Sequence, residues 1–361
     1  MAQINRWLLV ALILTLGFGQ LLRFDLYGVP FYLHDVLVVL TLLLLFLQGQ
    51  ALQVRKFDLR GLALLGAGLS LSWLFALFHY PLTQLLVPAL YTLRLLAYLA
   101  LYFLIKASKL YIPYSIFLFT GLTTLIIGLA QYFLLPDMRF FQYLGWDDHW
   151  SRLTLPHFDP TFTGVMLAMF ALTLKIDQWF IGLMVYFSIL LTYSRSVWLS
   201  LVMTGLLFIK NKNILLMSVV LLLVSIFALP RKFGEGTNLL RTYSISSRYD
   251  SDLAYIQKYK WDLLIGRGTN TLVLDAELSE RTNHATGPNN SYLYLLLTSG
   301  VLGLIGWGLF MSSLYQQSTH KAMIMFFFLA SLFNNVMFYP FALLWVLLIE
   351  TQQNKLENLR I

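Results

Sequence analysis

Residues 178–211, QWFIGLMVYFSILLTYSRSVWLSLVMTGLLFIKN, decide how the whole chain reads. Two apolar runs, 178–194 and 196–211, flank the turn Thr192-Tyr193-Ser194-Arg195-Ser196-Val197-Trp198-Leu199, with Arg195 at its tip. Lipid offers no partner for an unpaired backbone N–H or C=O, so such runs must be helical, and about 20 residues cross ~30 Å of hydrocarbon. The pattern recurs on both sides. Runs at 7–22, 29–48, 59–79, 84–106, 110–135 and 160–176 precede the stretch, and runs at 213–230, 290–315, 320–334 and 336–350 follow it. The expected fold is an all-α, polytopic bundle of about twelve transmembrane helices, a single integral membrane domain over residues 1–361.

Composition agrees with this reading. Of 361 residues, 58% are hydrophobic and 12% charged, against roughly 45–50% and 25% in ordinary soluble domains. The absence of cysteine excludes disulfides, thiolate metal sites and thiol nucleophiles. A net charge of +8 raises the question of nucleic acid, but the basic residues are scattered between apolar runs and form no block, so no nucleic-acid partner is expected. Topology accounts for them better. With both termini cytoplasmic, the inside segments hold Arg6, Arg55, Lys56, Arg60, Lys106, Lys109, Lys175, Lys210, Lys212, Lys321, Lys355 and Arg360. The short outside segments hold only Arg23, Arg139, Arg152 and Arg195, as the positive-inside bias requires. No cleavable signal is evident, so the first run reads as an anchor.

Two outer segments exceed what a connection needs, 136–159 and 231–289, the latter between the ninth and tenth helices. The larger begins a short amphipathic helix at Arg248-Tyr249, in which Leu253, Ile256, Tyr259, Trp261, Leu263 and Leu264 alternate with Asp252, Lys258, Lys260 and Asp262. That pattern suits the membrane interface. Its Leu264-Ile265-Gly266-Arg267-Gly268 stretch predicts a tight backbone turn, although a lone Gly-x-Gly does not specify phosphate binding.

Several groups bear on chemistry. Arg195 is a fixed cation whose fork matches phosphate oxygens, or else a snorkelling anchor at a helix end. The stretch His284-Ala285-Thr286-Gly287-Pro288-Asn289-Asn290-Ser291-Tyr292 reads as a helix start, with free N–H groups and a positive dipole end available to a diphosphate, or as ordinary capping. Ser299, Gly300, Gly303 and Gly306 form a small-residue stripe for close helix packing. Asp35 and Arg94 fall inside apolar runs, where charges pair or face a cavity; they are expected to pair and support the site.

The arrangement resembles the O-antigen ligase and O-antigen polymerase superfamily of membrane glycosyltransferases. The resemblance rests on the twelve-helix plan, on Ser194-Arg195-x-x-Trp198-Leu199 and on Leu155-Pro156-His157-Phe158-Asp159-Pro160-Thr161-Phe162-Thr163-Gly164. It also rests on Ser247-Arg248 before the short helix, on Leu264 to Gly268, and on Asn289-Asn290 preceding Gly300-x-x-Gly303. It implies transfer of a glycan from a polyprenyl (undecaprenyl) diphosphate carrier to a glycan or lipid A core hydroxyl. The setting would be the periplasmic face of the bacterial inner membrane, in lipopolysaccharide or surface polysaccharide biosynthesis, without metal or cofactor. Diphosphate binding would fall to Arg195, Arg248 and Arg267. The family's histidine position is occupied by Asn289, which leaves His284 as base or Asn289 as an orienting group. Ligase and polymerase differ in acceptor, which the sequence does not separate. A transporter or flippase of lipid-linked glycans is the alternative, but it would be expected to show midplane charges and internal repeats; a scaffold would not need the arginine turn.

Overall fold

The computed structural model describes residues 2–26, 29–50, 54, 56–108, 110–230, 235–275 and 287–352. Helices form at all twelve expected places. They are α1 (Ala2–Leu16), α2 (Leu33–Leu47), α3 (Lys56–His79), α4 (Leu82–Ser108), α5 (Tyr114–Leu134), α6 (Pro160–Ala171), α7 (Trp179–Leu191), α8 (Arg195–Phe208) and α9 (Lys212–Ala228). The amphipathic helix α10 (Tyr243–Lys258) precedes α11 (Ser291–Gln317), α12 (Lys321–Ala330) and α13 (Pro340–Glu350).

Among the described residues, four of these helices, α3, α4, α5 and α11, are long and apolar enough to cross a membrane, by length and composition. The other apolar helices are shorter than the expected runs, and for the first two the local backbone shows why. The first run ends at Leu16, not at residue 22, because Gly19 takes φ +52. A Cβ there would meet the Pro156 carbonyl at 2.7 Å, a close approach open only to glycine. The second run opens as an antiparallel hairpin, β1 (Arg23–Leu26) against β2 (Val29–Tyr32), so the chain is not purely α. Tyr32 and Asp35 then close a capping box on α2. The outward surface is greasy: Phe78, Leu134, Phe46 and Phe227 are all more than 70% exposed, which water would penalise and lipid would not.

The small-residue stripe works as expected. Gly61 and Gly68 of α3 face Gly306 and Gly303 of α11, and a Cβ on Gly61 would strike the Phe310 amide nitrogen at 2.7 Å. These two helices thereby pack backbone to backbone. Asp58 of α3, 3% exposed, accepts a hydrogen bond from Ser313 of α11 and ties the start of α3 to the end of α11.

The expected pair is also present: Arg94 on α4 reaches Asp35 on α2 at 2.8 Å. Tyr98 donates to the same carboxylate at 2.6 Å and Arg94 donates to the Pro30 carbonyl at 3.0 Å. The pair thus pins α2, α4 and the hairpin together.

Candidate functional site: an arginine-lined cavity

The α7–α8 turn is built before any cavity forms. Tyr193 adopts φ +53, a left-handed conformation unusual for a bulky residue, and its hydroxyl donates to the Pro230 carbonyl at 2.7 Å. Trp198 donates from its indole N–H to the Ile189 carbonyl at 3.1 Å, stapling α8 onto α7. Arg152, 5% exposed, lies beneath and donates to the Thr192 carbonyl at 3.0 Å. The turn is therefore braced from below by a cation. Ser194, the first flanking residue of α8, makes no side-chain cap, so the positive end of this helix opens toward the space above.

Across that space stand the start of α11 and the α12–α13 turn. Asn290 caps α11, accepting from the Tyr292 and Leu293 amides at 2.9 and 3.3 Å, while the Ser291 amide donates to the Ser331 carbonyl. These bonds correct one expectation: the first N–H groups of α11 are occupied and are not available to a diphosphate. Asn334 donates to Ser196 at 3.0 Å and joins the α12–α13 turn to α8. Above lies α10, whose Arg248 donates to the Phe333 carbonyl at 2.9 Å. The helix begins five residues earlier than the sequence pattern predicts and ends before Trp261.

Together these elements enclose a cavity of about 420 Å³. Four arginines line it: Arg152, Arg195, Arg241 and Arg248, with Asn289 and Asn290 at one edge. Arg195 donates to the Leu239 and Arg241 carbonyls at 3.0 and 2.6 Å. Among the described residues, neither Arg152 nor Arg248 forms an ion pair, and the lining holds one carboxylate, Asp252. Charge accumulates here at an electrostatic cost. Burial, then the neighbouring Arg241, lower the Arg152 guanidinium to about 10, with Asp159 and Asp147 pulling the other way and Arg195 adding to the fall. Burial and Arg248 likewise lower Arg195. Arg152 nevertheless remains protonated at neutral pH. His149, beside Arg152, is driven down to about 4 by burial and that cation, so it is neutral at pH 7.

Of the residues expected in a site, Arg195, Arg248 and Asn289 come together and Arg267 does not. Its guanidinium meets Asp262 at 2.6 Å and Asp275 at 3.2 Å, and the Tyr80 hydroxyl at 2.7 Å. Burial alone would lower it; the hydrogen bonds to Asp262 and Tyr80 reverse this and hold it above the ordinary range. The Gly-x-Gly stretch has an equally structural task. Gly300 breaks α11 at φ +68, and the two carbonyls left without helical partners, Leu297 and Thr298, accept from the Arg267 and Gly268 amides at 2.9 and 3.0 Å. Val301 returns the bond to the Leu264 carbonyl. The loop thus completes a broken helix with its backbone. His284 lies outside the described residues. Asp35 and Arg94 pair but do not line the cavity.

Sequence reasoning missed Arg152 and Arg241. Arg152 stands among only four arginines in the short outer segments, a weak signal in an otherwise charge-poor set, whereas Arg241 is lost among the many charges of its long loop.

Fold and cavity define a class: a helical, lipid-suited protein with a polycationic cavity at the meeting of α8, α10 and α11. A scan against models of known protein families finds no match, and neither does a search of curated proteins.

Proposed function

We propose that the protein is a glycosyltransferase of the O-antigen ligase or polymerase kind, moving a glycan from a polyprenyl diphosphate to a sugar hydroxyl. The observation that carries this reading is the convergence of Arg152, Arg195, Arg241 and Arg248 on one cavity with a single carboxylate. A departing diphosphate gains charge in the transition state, and preorganised donors aimed at that charge act where water is scarce. Guanidinium forks fit its oxygens. In this reading they take the place a metal ion would fill.

A second feature supports a lipid-linked donor. Next to the arginine turn, α7, α8 and α9 leave an apolar groove of about 160 Å³, lined by Trp198, Leu201, Leu215 and Leu222 among others. A prenyl tail suits that lining, with its diphosphate at Arg195. The chain then crosses the bacterial inner membrane twelve times with both ends cytoplasmic, its shorter helices extended by the residues that flank them, and the cavity faces the periplasm. The acceptor is a glycan or lipid A core sugar.

The deciding experiment examines lipid-linked glycans in cells deprived of the protein. A single repeat left on its carrier means a polymerase, and completed polymer left there means a ligase. Unaltered lipid-linked glycans would overturn the proposal, and carrier-linked glycan stranded on the cytoplasmic side would favour a flippase.

A further inference from the structure

An acceptor hydroxyl must lose a proton as it attacks, and a general base needs a free lone pair beside the reacting atoms. Most of the cavity lining fails that requirement. Arginines have no acceptor, and hydroxyl and amide groups lack useful basicity. Asp252 stands apart. It lies on α10 four residues beyond Arg248, hence on the same helix face, and it lines the same cavity. Its Oδ1 is buried and has no hydrogen-bond partner among the described residues. Buried carboxylate oxygens are normally satisfied, so the unpartnered one sets Asp252 apart among the residues that line the cavity, where it is the one carboxylate described.

Resting on the transferase reading above, we infer that Asp252 is the catalytic base that takes the acceptor's hydroxyl proton. The acceptor oxygen forms a bond to the anomeric carbon as the bond from that carbon to the diphosphate oxygen breaks. The electron pair leaves with the diphosphate, which Arg195 and Arg248 neutralise. The proton passes from the hydroxyl to the Asp252 carboxylate and then to water or the freed diphosphate, restoring the enzyme. Its surroundings suit the task. Burial raises the carboxyl above its ordinary range, while the Asn289 backbone amide and the Arg248 charge restrain the rise. The cations that share the cavity lining with it are Arg248 on its own helix, Arg241 just before that helix, Arg195 on α8 and Arg152 before α6. Asn289 therefore serves as a positioning residue, holding the base through its main chain.

The test uses the full chain in proteoliposomes, with lipid-linked glycan extracted from cells deprived of the protein as donor. Asp252→Asn is expected to lower transfer by ~10² or more, the scale of a lost general base, and to abolish the acid limb of the pH–rate profile. It should bind undecaprenyl diphosphate at least as tightly as the parent, since the cavity becomes more positive. Asp252→Glu should recover part of the rate with a displaced acid limb. Transfer by Asp252→Asn near the parental rate, or an acid limb that persists, overturns the assignment. So does weakened diphosphate binding, which would mark a structural role. Should Asp252→Asn not fold, a parental rate and unmoved acid limb in Asp252→Glu would overturn it as well. Failure of the transferase reading looks different: the parent protein itself would transfer no glycan in the proteoliposomes.

Discussion

Arg267 and Arg195 both sit beside a helix break, yet one is neutralised and the other is crowded by like charge. Arg267 has Asp262, Asp275 and Tyr80 around it, which raise its proton affinity. Arg195 stands near Arg248 and bonds carbonyl oxygens, and its proton affinity falls. The first environment holds a loop against the broken α11. The second stores unfavourable electrostatic energy that an anion would relieve. A guanidinium's role is thus set by its neighbours' charge, and a short motif around it carries little of that information.

The sharpest way to break the contrast is to truncate each arginine. Arg195→Ala or Arg248→Ala should lower glycan transfer by ~10² to 10³, the effect of deleting one transition-state donor, with the thermal unfolding midpoint in detergent close to the parent. Equal loss of activity and folding would erase the distinction. Arg267→Ala should do the reverse. It leaves Asp262 and Asp275 without their cation, and the expected loss is about 2 to 3 kcal/mol, below the range for fully buried pairs because solvent reaches the site. Denaturant or thermal unfolding measures it, and an unchanged midpoint would remove the clamp from the account.

Next in size, Gly300→Ala tests the backbone junction that Arg267 guards. Its φ of +68 with ψ of −172 is a conformation essentially confined to glycine, and a Cβ would press on the Leu264 and Ile265 backbone. A loss of about 2 kcal/mol follows from that strain, with faster hydrogen exchange expected at Arg267 and Gly268; protection equal to the parent's would contradict the docking. The smallest effect concerns anions. Inorganic pyrophosphate at about ten times its dissociation constant should stabilise the parent by about 1.4 kcal/mol through linkage. Arg267→Ala should keep that increment and Arg195→Ala should lose most of it. Pyrophosphate that stabilises neither would show that the cavity's charge is not an anion site.

Much of the fold is legible in the residues because lipid leaves the backbone few choices. Apolar runs bounded by charge or proline gave helices at each expected place, and Asp35 and Arg94, each costly alone in an apolar run, found each other. The glycine stripe predicted close packing, with α3 as the partner it did not name. Helix ends were less legible. The early stop of α1 and the break at Gly300 depend on backbone contacts between segments distant in sequence, and the hairpin at 23–32 takes up the start of what reads as a continuous apolar run. Hydrophobicity also fails to rank helices by depth. Both α9 and α13 are predominantly apolar, yet α9 buries no residue and α13 buries nearly all, since depth depends on which helices surround each one.

The same division holds for the cavity. The sequence by itself determined a chain of apolar helices with a lone arginine at the α7–α8 turn, because backbone hydrogen bonding in lipid and the rarity of charge there follow from local composition. Tertiary structure alone decided that Arg152 and Arg241 join Arg195 and Arg248, that Arg267 is claimed by carboxylates, and that Asp252 lines the cavity those four arginines share. Coulomb interactions fall off with distance in space, and residues ninety-six positions apart, as Arg152 and Arg248 are, become neighbours only when the helices between them have packed.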